Sequence, residues 1–384
     1  MTFKEPWSKR HKKVTAGLPH SLSNSFAEPL SNEELIKLSI ERGDQAIVDE
    51  YNNHSLDYTP IGGSPDILEE IANLYGPNIT ADNIVLTAGT QVGIQTVATA
   101  LLDENSHSIV FTPGYQSVQI APVHAGSDVT IIELKAEDKW QIDPEKVKTA
   151  IQDNTKYIVA NEPFNPAGTL MSRETQLALK EIADEHDIYI MFDEIYRHLE
   201  HDPKDRLPAM ADVYEKGISA GGMSKPWGGC GITIGWIALQ DTALKEKMVD
   251  DLYFGTICPS RASEIQAVMA LRSSNYLLKR NVEIIKRNMS LLDQFFDDFS
   301  DYFSWIRPRA GATAFVKFKG PLNTDQLGLQ LAQEGISIKP AYVFSDEVSE
   351  DVDYFRIGYG EKIMPSALEA LRCFVEKHKK EWSS

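Results

Sequence analysis

A lysine stands between a small-residue turn and a glycine-rich loop in Gly222-Met-Ser-Lys225-Pro-Trp-Gly-Gly-Cys-Gly-Ile-Thr-Ile-Gly-Trp236. At such a place an ammonium can lose solvation, drop its pKa and become a nucleophilic amine able to form a Schiff base. Taken alone, it reads more readily as a surface lysine beside a glycine turn. Upstream, Asp193 ends a strand-like run in Phe192-Asp-Glu-Ile-Tyr196. A carboxylate at a strand's carboxyl end points into the crevice where α/β sheets bind ligands. Against a pyridinium ring it would keep the ring nitrogen protonated and make the ring an electron sink; the plain alternative is a helix-capping aspartate. Tyr196 could share that crevice.

Three further segments offer ligand contacts. Asn165 lies in Glu162-Pro-Phe-Asn-Pro-Ala-Gly-Thr169, where Pro and Gly fix the backbone and an amide can be aimed at a ligand oxygen or close an Asx turn. Thr87-Ala-Gly-Thr-Gln91 closes a strand and opens a helix, offering backbone N–H groups and a dipole suited to phosphate. Tyr115, in Thr112-Pro-Gly-Tyr115, can stack on an aromatic ligand or pack in the core. His198-Leu-Glu-His201 lacks a third metal ligand at fixed spacing, and His20 could fold over the site with the N-terminal segment.

These residues need a scaffold. Apolar runs at Asn83–Thr87, Ser108–Thr112, Val129–Glu133, Lys156–Ala160 and Ile188–Phe192 alternate with helical patterns at Gln91–Leu102 and Glu174–His186. Ile232–Leu239 reads as a further buried strand. Short strands without alternation, separated by helices, predict a mostly parallel sheet covered on both faces, the α/β class. Ala262–Phe296 reads as a long helix with a break near Ser273-Ser274. Thr313–Phe318, a helix around Asp325–Glu334, Tyr354–Gly358 and a last helix from Pro365 suit a smaller α+β domain. The first 60 residues show one helical stretch, Asn32–Arg42. The expected division is a large domain over 46–285, with 1–45 and 286–384 forming the small one.

Composition narrows the function classes. The chain has 384 residues, 42% hydrophobic and 24% charged, with a formal charge of −18. That is an ordinary globular balance, and its acidity disfavours sequence-independent nucleic-acid binding; any anion must be gripped locally. Three cysteines give no disulfide framework. The basic start, Met1 to Lys13, is followed by no apolar stretch of a secretory signal, and no apolar run approaches the roughly 18 residues of a membrane helix. A cytoplasmic protein is expected.

Taken jointly and in order, Tyr58, Gly89-Thr90-Gln91, Tyr115, Asn165, Asp193, Tyr196, Lys225 and Arg356 resemble the fold type I pyridoxal-phosphate enzymes, specifically the class I/II aminotransferases, over nearly the whole chain. The resemblance implies that Lys225 holds pyridoxal 5'-phosphate covalently and removes the substrate Cα proton. It pairs Asp193 with the ring nitrogen, Asn165 and Tyr196 with the ring hydroxyl, and Tyr115 with the ring face. Gly89, Thr90 and Gln91 would hold the phosphate. Tyr58 looks like the tyrosine that reaches a neighbouring subunit's phosphate, implying a homodimer with shared sites. Arg356 resembles the arginine that clamps the substrate carboxylate, beside Asn165. Two positions depart from the pattern: the serine three before the lysine is Gly222, and the arginine eight after it is Thr233. Ser224 and Thr233 supply hydroxyls there, without a cation. The implied activity is a PLP-dependent reaction on a free L-amino acid, with transamination the family's commonest outcome. Pro308-Arg-Ala-Gly-Ala-Thr-Ala-Phe315 and Ser21-Leu-Ser-Asn-Ser25 also look similar to capreomycidine synthase-like enzymes, which would imply elimination and cyclisation of a hydroxylated arginine instead.

Overall fold

The computed structural model describes residues 5–382; the first four residues of the basic N-terminal stretch lie outside that range. Seven strands form the large sheet, in the spatial order Ile84–Thr87, Gly235–Leu239, Gly217–Gly222, Tyr189–Asp193, Thr155–Asn161, His107–Thr112 and Asp128–Glu133. Neighbours run parallel except on both sides of Gly235–Leu239, which is antiparallel. The α/β reading is therefore met, and each expected strand before residue 200 lies within a residue or two of its predicted bounds. Except in the edge strand Asp128–Glu133, where Ile131 is exposed, their runs of Ile, Val and Phe are buried on both faces, as helices on either side of a parallel sheet require.

Two expectations about strands fail. Ile232–Leu239 is not one strand: Cys230–Ile232 is a short 3-10 turn, Thr233 adopts φ +57°, and the strand begins at Gly235. The β-branched residues of the turn mimic a strand, but a left-handed residue breaks the extended run. The central strand Gly217–Gly222 carried no β-branched alternation to announce it. Its glycines answer to close approach. A Cβ on Gly221 would lie 2.5 Å from the Trp236 indole, and one on Gly222 would lie 2.3 Å from Thr90 Oγ1.

The N-terminal region holds three helices where one was expected: Trp7–Thr15, Asn32–Glu41 and Gln45–Asn53. Trp7–Thr15 has no apolar stripe and is fixed by docking. The Trp7 indole N–H donates to Asp346 Oδ1 at 3.1 Å, and His11 Nε2 donates to the Ile338 carbonyl at 2.6 Å. The chain then pairs His20–Ser21 in parallel with Ile336–Ser337, which keeps His20 among backbone neighbours and off the cavity lining; the expectation for His20 fails.

A second apolar core lies under a three-stranded antiparallel sheet, with Thr313–Phe318 between Phe303–Trp305 and Tyr354–Gly358. The long helix breaks at Ser273 into Arg261–Arg272 and Ser274–Asp298. Its second half and the last helix, Met364–Trp382, cover this core with Phe295, Leu292 and Phe374. Among the described residues no helix is long and apolar enough to cross a membrane.

Candidate active site

The adjacent carboxyl ends of Thr155–Asn161 and Tyr189–Asp193 open onto a cavity of about 820 Å³. This is where a parallel sheet leaves an unfilled crevice. Its far wall comes from the three-stranded sheet, and the helix Trp7–Thr15 borders it through Ser8, His11 and Lys12. Of the residues singled out by sequence, Gly89, Thr90, Gln91, Tyr115, Asn165, Asp193, Tyr196, Ser224, Lys225, Thr233 and Arg356 all line this one cavity. Tyr58 does not. It is 80% exposed and is not among the residues that line the cavity.

Lys225 follows the strand Gly217–Gly222 by three residues and is held by the turn, in which Gly229 N donates to Met223 O at 3.0 Å. Its Nζ donates to Ser25 Oγ at 3.1 Å and sits 5.8 Å above the Phe26 ring. Burial lowers its pKa, and the Arg356 guanidinium adds to the fall. Asp193 is buried, and burial pushes its carboxyl up to about 7 against the pull of the Ile195 N–H and the Lys225 ammonium. The cavity thus holds an amine driven toward its neutral form and an acid waiting for a cationic partner.

Asn165 is placed by a relay from the neighbouring strands. Its N–H donates to Asn161 Oδ1 at 2.6 Å, and Asn161 Nδ2 donates to the Asp193 carbonyl at 2.6 Å. Asn165 Oδ1 in turn accepts from Arg356 Nη1 at 2.8 Å, and Arg356 Nη2 donates to the Ser23 carbonyl at 2.7 Å. Arg356 is only 2% exposed, yet its Nε has no partner among the described residues. Arg356 lines the cavity, and a buried guanidinium with an unsatisfied N–H is a site for an acid.

At the opposite end, Gly89 (φ +95°) caps the helix Thr90–Leu101, whose first turn lines the cavity through Thr90, Gln91 and Val92. Thr90 Oγ1 is spent on the Gly221 carbonyl at 2.8 Å, and Gln91 Nε2 donates to the Tyr115 hydroxyl. A Cβ on Gly235 would lie 2.2 Å from the Thr90 nitrogen, so glycine alone lets the two segments meet. Thr233 flanks this turn, its Cγ2 3.8 Å from where a Gly89 Cβ would stand.

The class I and II aminotransferase family model matches residues 33–367. The chain belongs to that family. A probable aspartate aminotransferase of Methanocaldococcus jannaschii is 26% identical over 84% of this chain and 85% of its own. A PLP-dependent aminotransferase from Streptococcus suis superposes with a TM-score of 0.90 at 28% identity, covering 98% of this chain and 99% of that one. The PLP-dependent cyclase OrfR, at 21% identity and a TM-score of 0.87 over 98% of each chain, shares the fold. The aminotransferase's cofactor is pyridoxal 5'-phosphate, and the residues fit it: a helix N-terminus behind a glycine cradle, a buried acid, and a buried amine in one cavity.

Sequence reasoning missed several residues of the site. Ser25 and Ser23, which the sequence offered only within the Ser21–Ser25 resemblance and without a role, approach Lys225 and Arg356 from 200 and 333 positions away. Lys12 and Lys339 line the cavity as well, and only the spacing of Lys339 from the following Pro340 could have drawn attention to that strand.

Proposed function

We propose that this aminotransferase moves the amino group of a free L-amino acid, with Lys225 as its base and Arg356 as its carboxylate clamp. The observation that carries the reading is the confinement of a pKa-lowered lysine, a buried acid and an unsatisfied buried arginine to one cavity. Bound there, pyridoxal phosphate supplies the electron sink that makes the substrate Cα–H acidic. Lys225 Nζ, neutral once its solvation is lost, takes that proton and can return it. The Asp193 carboxylate holds a proton on the cationic ring nitrogen against it, and Tyr196 and Asn165 orient the ring oxygen. Tyr115 covers the ring. The Thr90 and Gln91 N–H groups, with the Ser224 and Thr233 hydroxyls, face the phosphate. Arg356 binds the substrate carboxylate through its free N–H groups, its position fixed by Asn165 and Ser23.

A homodimer with shared sites is part of the proposal. Leu56, Tyr58 and Phe254 are 94%, 80% and 86% exposed, an apolar surface that a monomer rarely carries. The segments bearing them are joined by the Thr59 hydroxyl on the Pro259 carbonyl at 2.9 Å. Three free cysteines suit the reducing cytoplasm.

The test is Lys225→Ala. The purified variant should stay folded and lose the visible absorbance of covalently held cofactor; a reducible covalent linkage that survives would overturn the assignment. Mass spectrometry on a panel of amino acids, including arginine and its hydroxylated forms, should show a keto acid released and the amine kept on the protein. A cyclic guanidine product would favour cyclisation.

A further inference from the structure

The guanidinium of Arg356 is planar, so it meets a carboxylate well only when both its position and its plane are fixed. Two of its nitrogens are held at the edge: Nη1 donates to Asn165 Oδ1 at 2.8 Å, and Nη2 donates to the Ser23 carbonyl at 2.7 Å. Neither bond covers the face of the group. There the Arg356 Cζ lies 5.3 Å from the centroid of the Phe344 ring. A guanidinium within about 6 Å of an aromatic face is attracted by the ring quadrupole. The two residues are 2% and 1% exposed, so little water competes for that attraction. Burial works against the charge of Arg356, and Tyr196 and Tyr115 oppose it. The Phe344 face adds a third support.

Phe344 is itself fixed from several sides. Its ring meets that of Phe315 at 5.5 Å with the planes at 76°, and Phe315 stands opposite Arg356 in the three-stranded sheet. Its N–H donates to the Ala341 carbonyl at 2.9 Å, and its carbonyl accepts from Gly114 N at 2.9 Å, beside Tyr115. Just beyond it, Asp346 receives the Trp7 indole N–H. Phe344 is not among the residues that line the cavity. It nevertheless joins the strand that carries Arg356 to the segment that carries Tyr115.

We infer that Phe344 is a positioning residue for the carboxylate clamp: its ring face holds the Arg356 guanidinium in place, so that the N–H groups left free by Asn165 and Ser23 meet a substrate carboxylate already arranged. The inference rests on Arg356 being that clamp. The hold depends on the charge distribution of the ring, so an aliphatic side chain that only fills the space does not replace it.

Fluorine separates charge from shape. The chain is made with 4-fluorophenylalanine or 3,4,5-trifluorophenylalanine at position 344, side chains close to phenylalanine in shape whose faces are progressively less negative. Butyrate, an unreactive monocarboxylate, is the probe on the cofactor-loaded enzyme, its dissociation constant read by calorimetry. Butyrate binding should weaken stepwise along the series. Phe344→Leu should weaken it by about two- to thirty-fold. It should leave the affinity for pyridoxal phosphate in place, because the backbone bond to Gly114 remains. Butyrate affinity that stays flat along the fluorinated series, or that falls only as far as the melting temperature falls, makes the ring a space-filler; it overturns the inference and leaves the Arg356 clamp standing. Wild type that binds no butyrate overturns the clamp and this inference with it.

Discussion

Thr233 is the position at which a single substitution should most tighten the hold on the cofactor. It occupies φ +57°, a conformation that a β-branched residue tolerates poorly. Its hydroxyl makes only a 3.4 Å contact to the Gly231 carbonyl, so little is lost by removing it. The side chain is exposed toward the cavity, and the space beside Gly231 is open. Arginine, unbranched at Cβ, can therefore be accommodated, and its guanidinium would reach the turn at Gly89 where the phosphate is expected. Charge-assisted hydrogen bonds of about 1.5–3 kcal/mol translate into roughly ten- to a hundred-fold tighter retention. The assay is equilibrium dialysis of wild type and Thr233→Arg against pyridoxal phosphate, with phosphate-free pyridoxal as control. The gain should appear with the phosphate and vanish without it. A well-folded variant whose affinity for pyridoxal phosphate is unchanged or weaker would refute the phosphate-facing placement of residue 233.

Gly235→Ala should drive a methyl group against the Thr90 amide, 2.2 Å away. It should lower stability by about 1–3 kcal/mol in urea unfolding, with cofactor affinity falling alongside; an unchanged midpoint would dismiss the close approach. Glu162 is buried, and burial pushes its carboxyl up to about 8, with Glu200 and Glu194 adding to the rise. An acid raised in the folded state stabilises fully below its unfolded pKa near 4, and that contribution drains away as the pH climbs to about 8, by up to about 1.4 kcal/mol per unit. Glu162→Gln keeps the acceptor for the Met171 N–H and removes the titration, so its melting temperature relative to wild type should rise between pH 5 and pH 8.5. A difference that stays flat over that range would show that Glu162 titrates normally.

The sheet was legible because parallel strands must be apolar on both faces, and runs such as Ile188–Phe192 have no polar alternation to confuse them. Gly217–Gly222 escaped notice for the opposite reason: its residues are chosen by what presses on them, Trp236 and Thr90, and nothing local records that. The chemistry-bearing residues at the ends of strands were readable because strand ends and glycine turns mark the crevice. Ser25 was not, since it acquires meaning only from Lys225, 200 positions away, and nothing in the sequence around Lys339 marks it as facing the crevice. The helix Trp7–Thr15 was missed because it is held by an indole and an imidazole on distant groups, not by any periodicity of its own.

The segment from Leu22 to Leu30 joins nearly everything at the centre of the molecule. Its backbone is tied to Ser337, Gly358, Lys225 and Gly228, and its carbonyls come so near Gly358, Gly360 and Gly228 that no side chain fits between. These partners leave the ribosome long after it does. At about 5–20 residues per second, the stretch that seats the reactive amine must wait tens of seconds for Arg356, its partner 333 residues downstream. The fold is thus closed by the piece made first, and the site comes into being only when synthesis is almost done. A chain made only as far as Leu239 has the large sheet and the lysine but no working centre, and without the walls that bury it the Lys225 amine is not yet driven toward its nucleophilic form.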